Sequence, residues 1–127
     1  MREILFRGKR TDNGEWVVSD SIIHFEHIID RTNCYQLWER ENGWVDVDPE
    51  TVGQFTGLCD KNGNRIFEGD IVKERGDAAR TRYEIRWNEA GFEQKDIELR
   101  YGCLLERGDD LEVIGNIHDN PELLKRR

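Results

Sequence analysis

Apolar and polar residues alternate most regularly over Arg80–Trp87, where Thr81, Tyr83, Ile85 and Trp87 take one face and Arg80, Arg82, Glu84 and Arg86 the other. A repeat of two is the period of a strand, so this segment predicts a half-buried antiparallel strand with its aromatic face toward the core. Shorter stretches of strand character flank three Asn-Gly pairs. Asn13-Gly14 joins Glu3–Arg10 to Glu15–Val18, Asn42-Gly43 joins Cys34–Glu39 to Trp44–Asp48, and Asn62-Gly63 joins Gln54–Leu58 to Arg65–Phe67. Asn-Gly suits the type I′ hairpin turn, in which both central residues take positive φ and the twist matches the flanking strands. Glu68-Gly69-Asp70 leading into Ile71-Val72-Lys73 has the form of a tight turn feeding a strand, as in small SH3-like barrels. Further strands are expected at Asp96–Arg100 and Leu111–Ile117, with a turn at Arg107-Gly108-Asp109-Asp110 and a polar loop over Lys73–Arg80.

Helical signals are few. Asp48-Pro49-Glu50 and Asn120-Pro121-Glu122 each place a capping residue before proline, then an acid near the positive end of a helix dipole. The first predicts a single turn, the second a short C-terminal α-helix over residues 121–126. The expected fold is mainly β: one domain over residues 1–127, with a hairpin region at about 1–48, an SH3-like barrel at about 50–118 and the closing helix, all sharing one core. No internal repeat or low-complexity tract interrupts it.

Composition narrows the functional classes. Hydrophobic and charged residues each make up 36% of the chain, which points to a thin core under a heavily charged surface. The net charge of −8 disfavours nucleic acid as a partner, because duplex binding draws mainly on a basic footprint. Cys34, Cys59 and Cys103 form neither a disulfide framework nor a C-x-x-C motif. With no apolar leader and no apolar run of about 18 residues, the chain is expected in the cytoplasm and off the membrane.

The one cluster of metal-ligand residue types is His24, His27, Asp30 and Cys34, but residues three apart point oppositely along a strand, and zinc sites use tighter pairings. Half-buried or surface histidines are the competing reading. Asp46, Asp48 and Glu50 lie close together, yet among 27 acids such groups arise freely. Gly53 and Gly57 lack the Lys-Ser/Thr that a phosphate loop needs. No catalytic residue and no cofactor is expected. Arg80, Arg82 and Arg86, extended by Lys73 and Arg75, make a basic stripe that could meet nucleic acid, although arginine on a strand face is commonly only solvated. Trp38 and Trp44 flank the second Asn-Gly pair, and alternation cannot easily bury both. An exposed tryptophan there would mark an interface.

The run Val47–Leu58, followed by Asp60-Lys61-Asn62-Gly63 and Ile66-Phe67-Glu68-Gly69-Asp70-Ile71-Val72, resembles the segment that characterises the YopX family of phage and prophage proteins. The opening Ile4-Leu5-Phe6-Arg7-Gly8-Lys9 with Trp16, and the close Glu112–Leu124, resemble that family too. Cys59 and Ser19-Asp20 depart from its usual residues. The resemblance implies a predominantly β fold and a phage or prophage origin in a bacterial cell; it implies no reaction. The expected role is a non-enzymatic module that binds another protein or itself. Alternatives are a nucleic-acid module on the Arg80–Arg86 face and a small metal protein or enzyme around His24 and His27.

Overall fold

Each Asn-Gly pair closes a hairpin, though by another turn than type I′. The computed structural model describes residues 3–74, 81–88, 91–97 and 102–124. Gly14, Gly43 and Gly63 take positive φ (72°, 73° and 83°), whereas Arg31 is the one described non-glycine residue that does. Asn13, Asn42 and Asn62 therefore stay on the ordinary side. At the third turn the Gly63 amide donates to the Asp60 carbonyl (3.0 Å) and the Asp60 amide to Asn64 (2.8 Å), a type I turn followed by a left-handed glycine. The first loop is longer: Gly14 donates back to Arg10, and Arg10 to Glu15. A three- or four-residue loop needs positive φ only at its last position, where glycine incurs no Cβ clash.

The chain divides into two compact units, Met1–Phe55 and Thr56–Arg127. The first holds β1 (Phe6–Lys9), β2 (Trp16–Ser19), β3 (Ile22–Glu26), β4 (Asn33–Glu39), β5 (Gly43–Val47) and the start of β6 (Gly53–Cys59). β1 pairs antiparallel with both β2 and β6, and β3, β4 and β5 form an antiparallel meander. Val17, Leu37, Val45 and Val47 are buried together, with Phe6, Ile22, Tyr35 and Val52 packed against them. Between β5 and β6 the expected single turn is present at Pro49–Thr51, and the Asp48 carboxylate accepts the Glu50 amide at its start.

The second unit contains the end of β6, then β7 (Arg65–Phe67), β8 (Asp70–Glu74), β9 (Arg82–Asn88), β10 (Gly91–Asp96), β11 (Gly102–Leu104) and β12 (Leu111–Asn116). Its core gathers Ile66, Val72, Ile85, Phe92, Leu105 and Leu111. Each unit thus has a buried cluster of its own. The expected SH3-like barrel is an open sheet among the described residues, ordered β11-β10-β9-β8-β12. Closure would need the outer side of β12, and that side is already occupied: Lys61 donates to the Leu111 carbonyl and Val113 to the Asp60 carboxylate, both at 2.9 Å.

The expected C-terminal α-helix is a 3-10 turn, Pro121–Leu124, and residues 125–127 lie outside the described part. Asn120 does not serve as its cap. Its side-chain oxygen instead accepts the Asn116 amide (3.2 Å), tying back the end of β12. The Arg80–Trp87 alternation also needs one correction. Ile85 is fully buried, but Trp87 is 57% exposed, touching Phe92 edge-on at 4.8 Å. It lies near the end of the β9–β10 pair, where Phe92 takes the buried position opposite it.

Candidate interaction face

Pairing register assigns every residue of the β3–β4–β5 meander to one of two faces, because side chains alternate and partners share a side. Ile22, Leu37 and Val45 stand abreast, as do His24, Tyr35 and Val47, and these point toward the core. The opposite face carries Ile23 beside Gln36 and Asp46, Phe25 beside Cys34, and Trp38 beside Trp44. Trp38 and Trp44 are 46% and 41% exposed and meet edge-to-face at 5.5 Å. Both tryptophans of the hairpin are therefore on the surface; on the same face Ile23 stands diagonal to Trp38 and Phe25 one row beyond it, and both are exposed. At the tip of the β3–β4 hairpin, Ile28 and Ile29 are 89% and 88% exposed. Large apolar side chains exposed on one face are a usual mark of an interaction surface.

Polar groups on this face are few and already engaged. Gln36 donates to Asp46 across the strands at 2.9 Å. Alternation at Trp38 and Trp44 pointed to part of the face; Ile23 and Phe25 were missed. In Ile22-Ile23-His24-Phe25 both faces of the strand are apolar or aromatic, so period alone could not say which side lies outward.

The candidate metal ligands do not converge. His24 is on the core-side face, stacked on Tyr35 (ring centroids 4.4 Å, 8° apart) and bonded to Asn33 at 3.0 Å. Cys34 is on the outer face opposite Phe25. His27 and Asp30 sit in the hairpin turn, where His27 Nδ1 is 3.2 Å from the Asp30 carboxylate. That carboxylate also accepts the Thr32 amide and hydroxyl, which hold it below the ordinary aspartate range. Among the described residues no group of three or more His, Cys, Asp or Glu is placed to hold a metal. Asp46 and Asp48 are likewise engaged locally, with Gln36 and the Glu50 amide.

The basic stripe is interrupted. Arg80 and Arg75 lie outside the described residues. Arg86 is bonded to Glu84 on its own strand (3.0 Å) and stands opposite Glu93, while Glu84 stands opposite Lys95. Glu84, Arg86, Lys95, Asp96, Ile97 and Leu124 line a shallow cleft of about 110 Å³ with both signs of charge. Lys73 stands opposite Arg82 and lies 3.7 Å from the Glu112 carboxylate. On the other face of β9, Tyr83 donates to Glu74 (2.9 Å), and burial together with that carboxylate holds its phenol proton well above the ordinary range. Opposite charges facing across strands are a stabilising surface pattern, and around Arg86 they weaken the positive field a phosphate backbone would need.

Comparison with known proteins adds family and fold. The chain belongs to the YopX family: the family described as YopX protein matches residues 5–125. Protein EF1440 from Enterococcus faecalis has a similar crystal structure, at 24% identity, with 98% of this chain and 100% of that chain covered and a TM-score of 0.57. At that identity the likeness shows a shared fold. No curated protein matches the chain. No helix among the described residues is long and apolar enough to cross a membrane.

Proposed function

We propose that this YopX family member is a phage or prophage accessory protein that works by binding in the host cytoplasm, using the outer face of β3–β4–β5. The observation that carries the reading is the Trp38–Trp44 pair, exposed side by side on the face that also carries Ile23 and Phe25. Aromatic side chains at the centre of a patch are the usual anchors of protein interfaces, since each removes a large area from water on docking. The fitting partner is a protein that presents apolar side chains to this face. The nucleic-acid reading is the weaker one: Lys73 and Arg82 stand opposite each other, but Arg86 is bonded to Glu84 and stands opposite Glu93.

The test compares the native chain with Trp38→Gln/Trp44→Gln and with Trp87→Gln as affinity baits in host extract. A partner held by the native chain and by Trp87→Gln, and lost from the double variant, supports the reading. Equal capture by all three overturns it.

A further inference from the structure

We propose that two copies of this chain pair through the open edge of β3, an inference that rests on the binding role given above to the same sheet. In an antiparallel ladder every second residue of an edge strand points its N–H and C=O away from its neighbour. His27 donates to Thr32 at 2.8 Å and Trp38 to Ser21 at 3.2 Å, which fixes which residues of β3 face β4. In the observed register these are Ser21, Ile23, Phe25 and His27. The backbone of Ile22, His24 and Glu26 therefore faces outward, and no backbone bond to it is present among the described residues.

The other sheet edges are covered or short. Along β5, Thr11 donates to the Asp46 carbonyl (3.1 Å) and Asp48 to that of Lys9 (2.8 Å), so the β1–β2 hairpin covers it. The outer side of β12 is taken by Asp60 and Lys61. β11 has three residues, and β2 turns only Trp16 and Val18 outward. β3 has no proline, no lysine and no bulge, and its one charged residue, Glu26, stands at its end.

A second copy fits this edge because the edge is self-complementary about His24. With a two-fold axis there, Ile22 of each copy lies opposite Glu26 of the other, and Ile23 opposite Phe25. The N–H and C=O of Ile22, His24 and Glu26 are then all used, as in any antiparallel bonded pair. Ile23 and Phe25 fall in the close, non-bonded pairing, with Cα atoms about 4.5 Å apart, and join two apolar outer faces into one. Across the axis Glu26 faces Ile22, so no two carboxylates stand opposite each other. The chain's net charge of −8 opposes association at long range, so the pair is weak at low ionic strength and tightens with salt.

Two readouts on the native chain test this: sedimentation velocity across micromolar to millimolar concentration, and amide exchange measured residue by residue over the same range. The expected mass rises from 15.0 kDa toward twice that value. Over the same range the amides of Ile22, His24 and Glu26 should slow by about tenfold or more, while those of Ile23 and Phe25, already bonded, change little. His24→Pro removes the donor at the axis and should stay monomeric; should it fail to fold, the exchange pattern decides alone. A constant 15.0 kDa, or a doubled mass with those amides still fast, overturns the pairing. Trp38→Gln/Trp44→Gln should still pair. If native pairing is absent while that variant loses its partner, the binding face stands and the pairing through the β3 edge is refuted.

Discussion

Replacing Asp60 with asparagine should destabilise the second unit. Asp60 is 5% exposed, and its carboxylate accepts the Asn62 and Asn64 amides on one oxygen, each at 2.9 Å. The other oxygen takes the Val113 amide at 2.9 Å, and the Asn64 side chain at 3.4 Å. The group thus holds the turn after β6 against the edge of β12, 53 residues away in sequence. In Asp60→Asn one oxygen can remain on Asn62 and Asn64, but an NH2 group replaces the other and faces the Val113 N–H, donor against donor. A hydrogen bond to a charged group contributes about 1.5–3 kcal/mol, and a buried donor left without an acceptor costs about 1–3 kcal/mol. These are two descriptions of one lost contact, so adding a modest weakening of the two retained bonds puts the expected loss at about 2–4 kcal/mol. Urea unfolding would measure it, with amide exchange at Val113 as the local probe. A loss under about 0.5 kcal/mol, the usual scale of an exposed substitution, would refute the reasoning.

Three further outcomes follow from the same geometry. Burial pushes the Asp60 carboxyl up, but the Val113, Asn64 and Asn62 donors outweigh it and leave it below its ordinary value of 3.8. Its contribution is therefore fully present above that value and lost as the pH falls through the lower folded one, so the stability gap to Asp60→Asn should narrow only in acid, as pH-dependent unfolding would show. Ile85→Ala should cost about 2–5 kcal/mol in urea unfolding, since Ile85 is fully buried, whereas Trp87→Ser should fall within about 1 kcal/mol because much of that side chain is in water. Gly108→Ala would drive its Cβ into the Cys59 carbonyl and onto Ile66, and should lower the thermal midpoint by more than a typical surface glycine replacement does.

Much of the architecture was legible because it is local. The three Asn-Gly pairs, the Asp48-Pro49 turn and the Ile85-centred alternation are read from neighbouring residues, and each is where it was expected. The turn type was not, since Asn-Gly also serves a type I turn ending in a left-handed glycine, and loop length decides between them. Asn120-Pro121 resembles a helix start, but the asparagine side chain is used by Asn116, a competition that no helix-capping rule weighs. The open sheet follows from contacts made at long separation, Asp60 to Val113 above all, which pattern cannot reveal.

The site was legible in part for the same reason. Trp38 and Trp44 were placed opposite each other by the hairpin, and their shared exposure follows from Leu37 and Val45 taking the core. Ile23 and Phe25 required the β3–β4 register, which depends on pairing across a turn without Gly or Pro, where Arg31 takes φ 63° instead. The cluster of His24, His27, Asp30 and Cys34 dissolved once strand and turn separated its members onto different faces.

The central claim is that the outer face of β3–β4–β5 makes the protein's functional contact. Its most direct test is photocrosslinking in the host cell, with p-benzoylphenylalanine introduced in place of Trp38 and, separately, of Trp87. A discrete crosslinked species is expected from position 38 and none of the same mass from position 87. Uncrosslinked chain alone from position 38, or the same products from both positions, would contradict it.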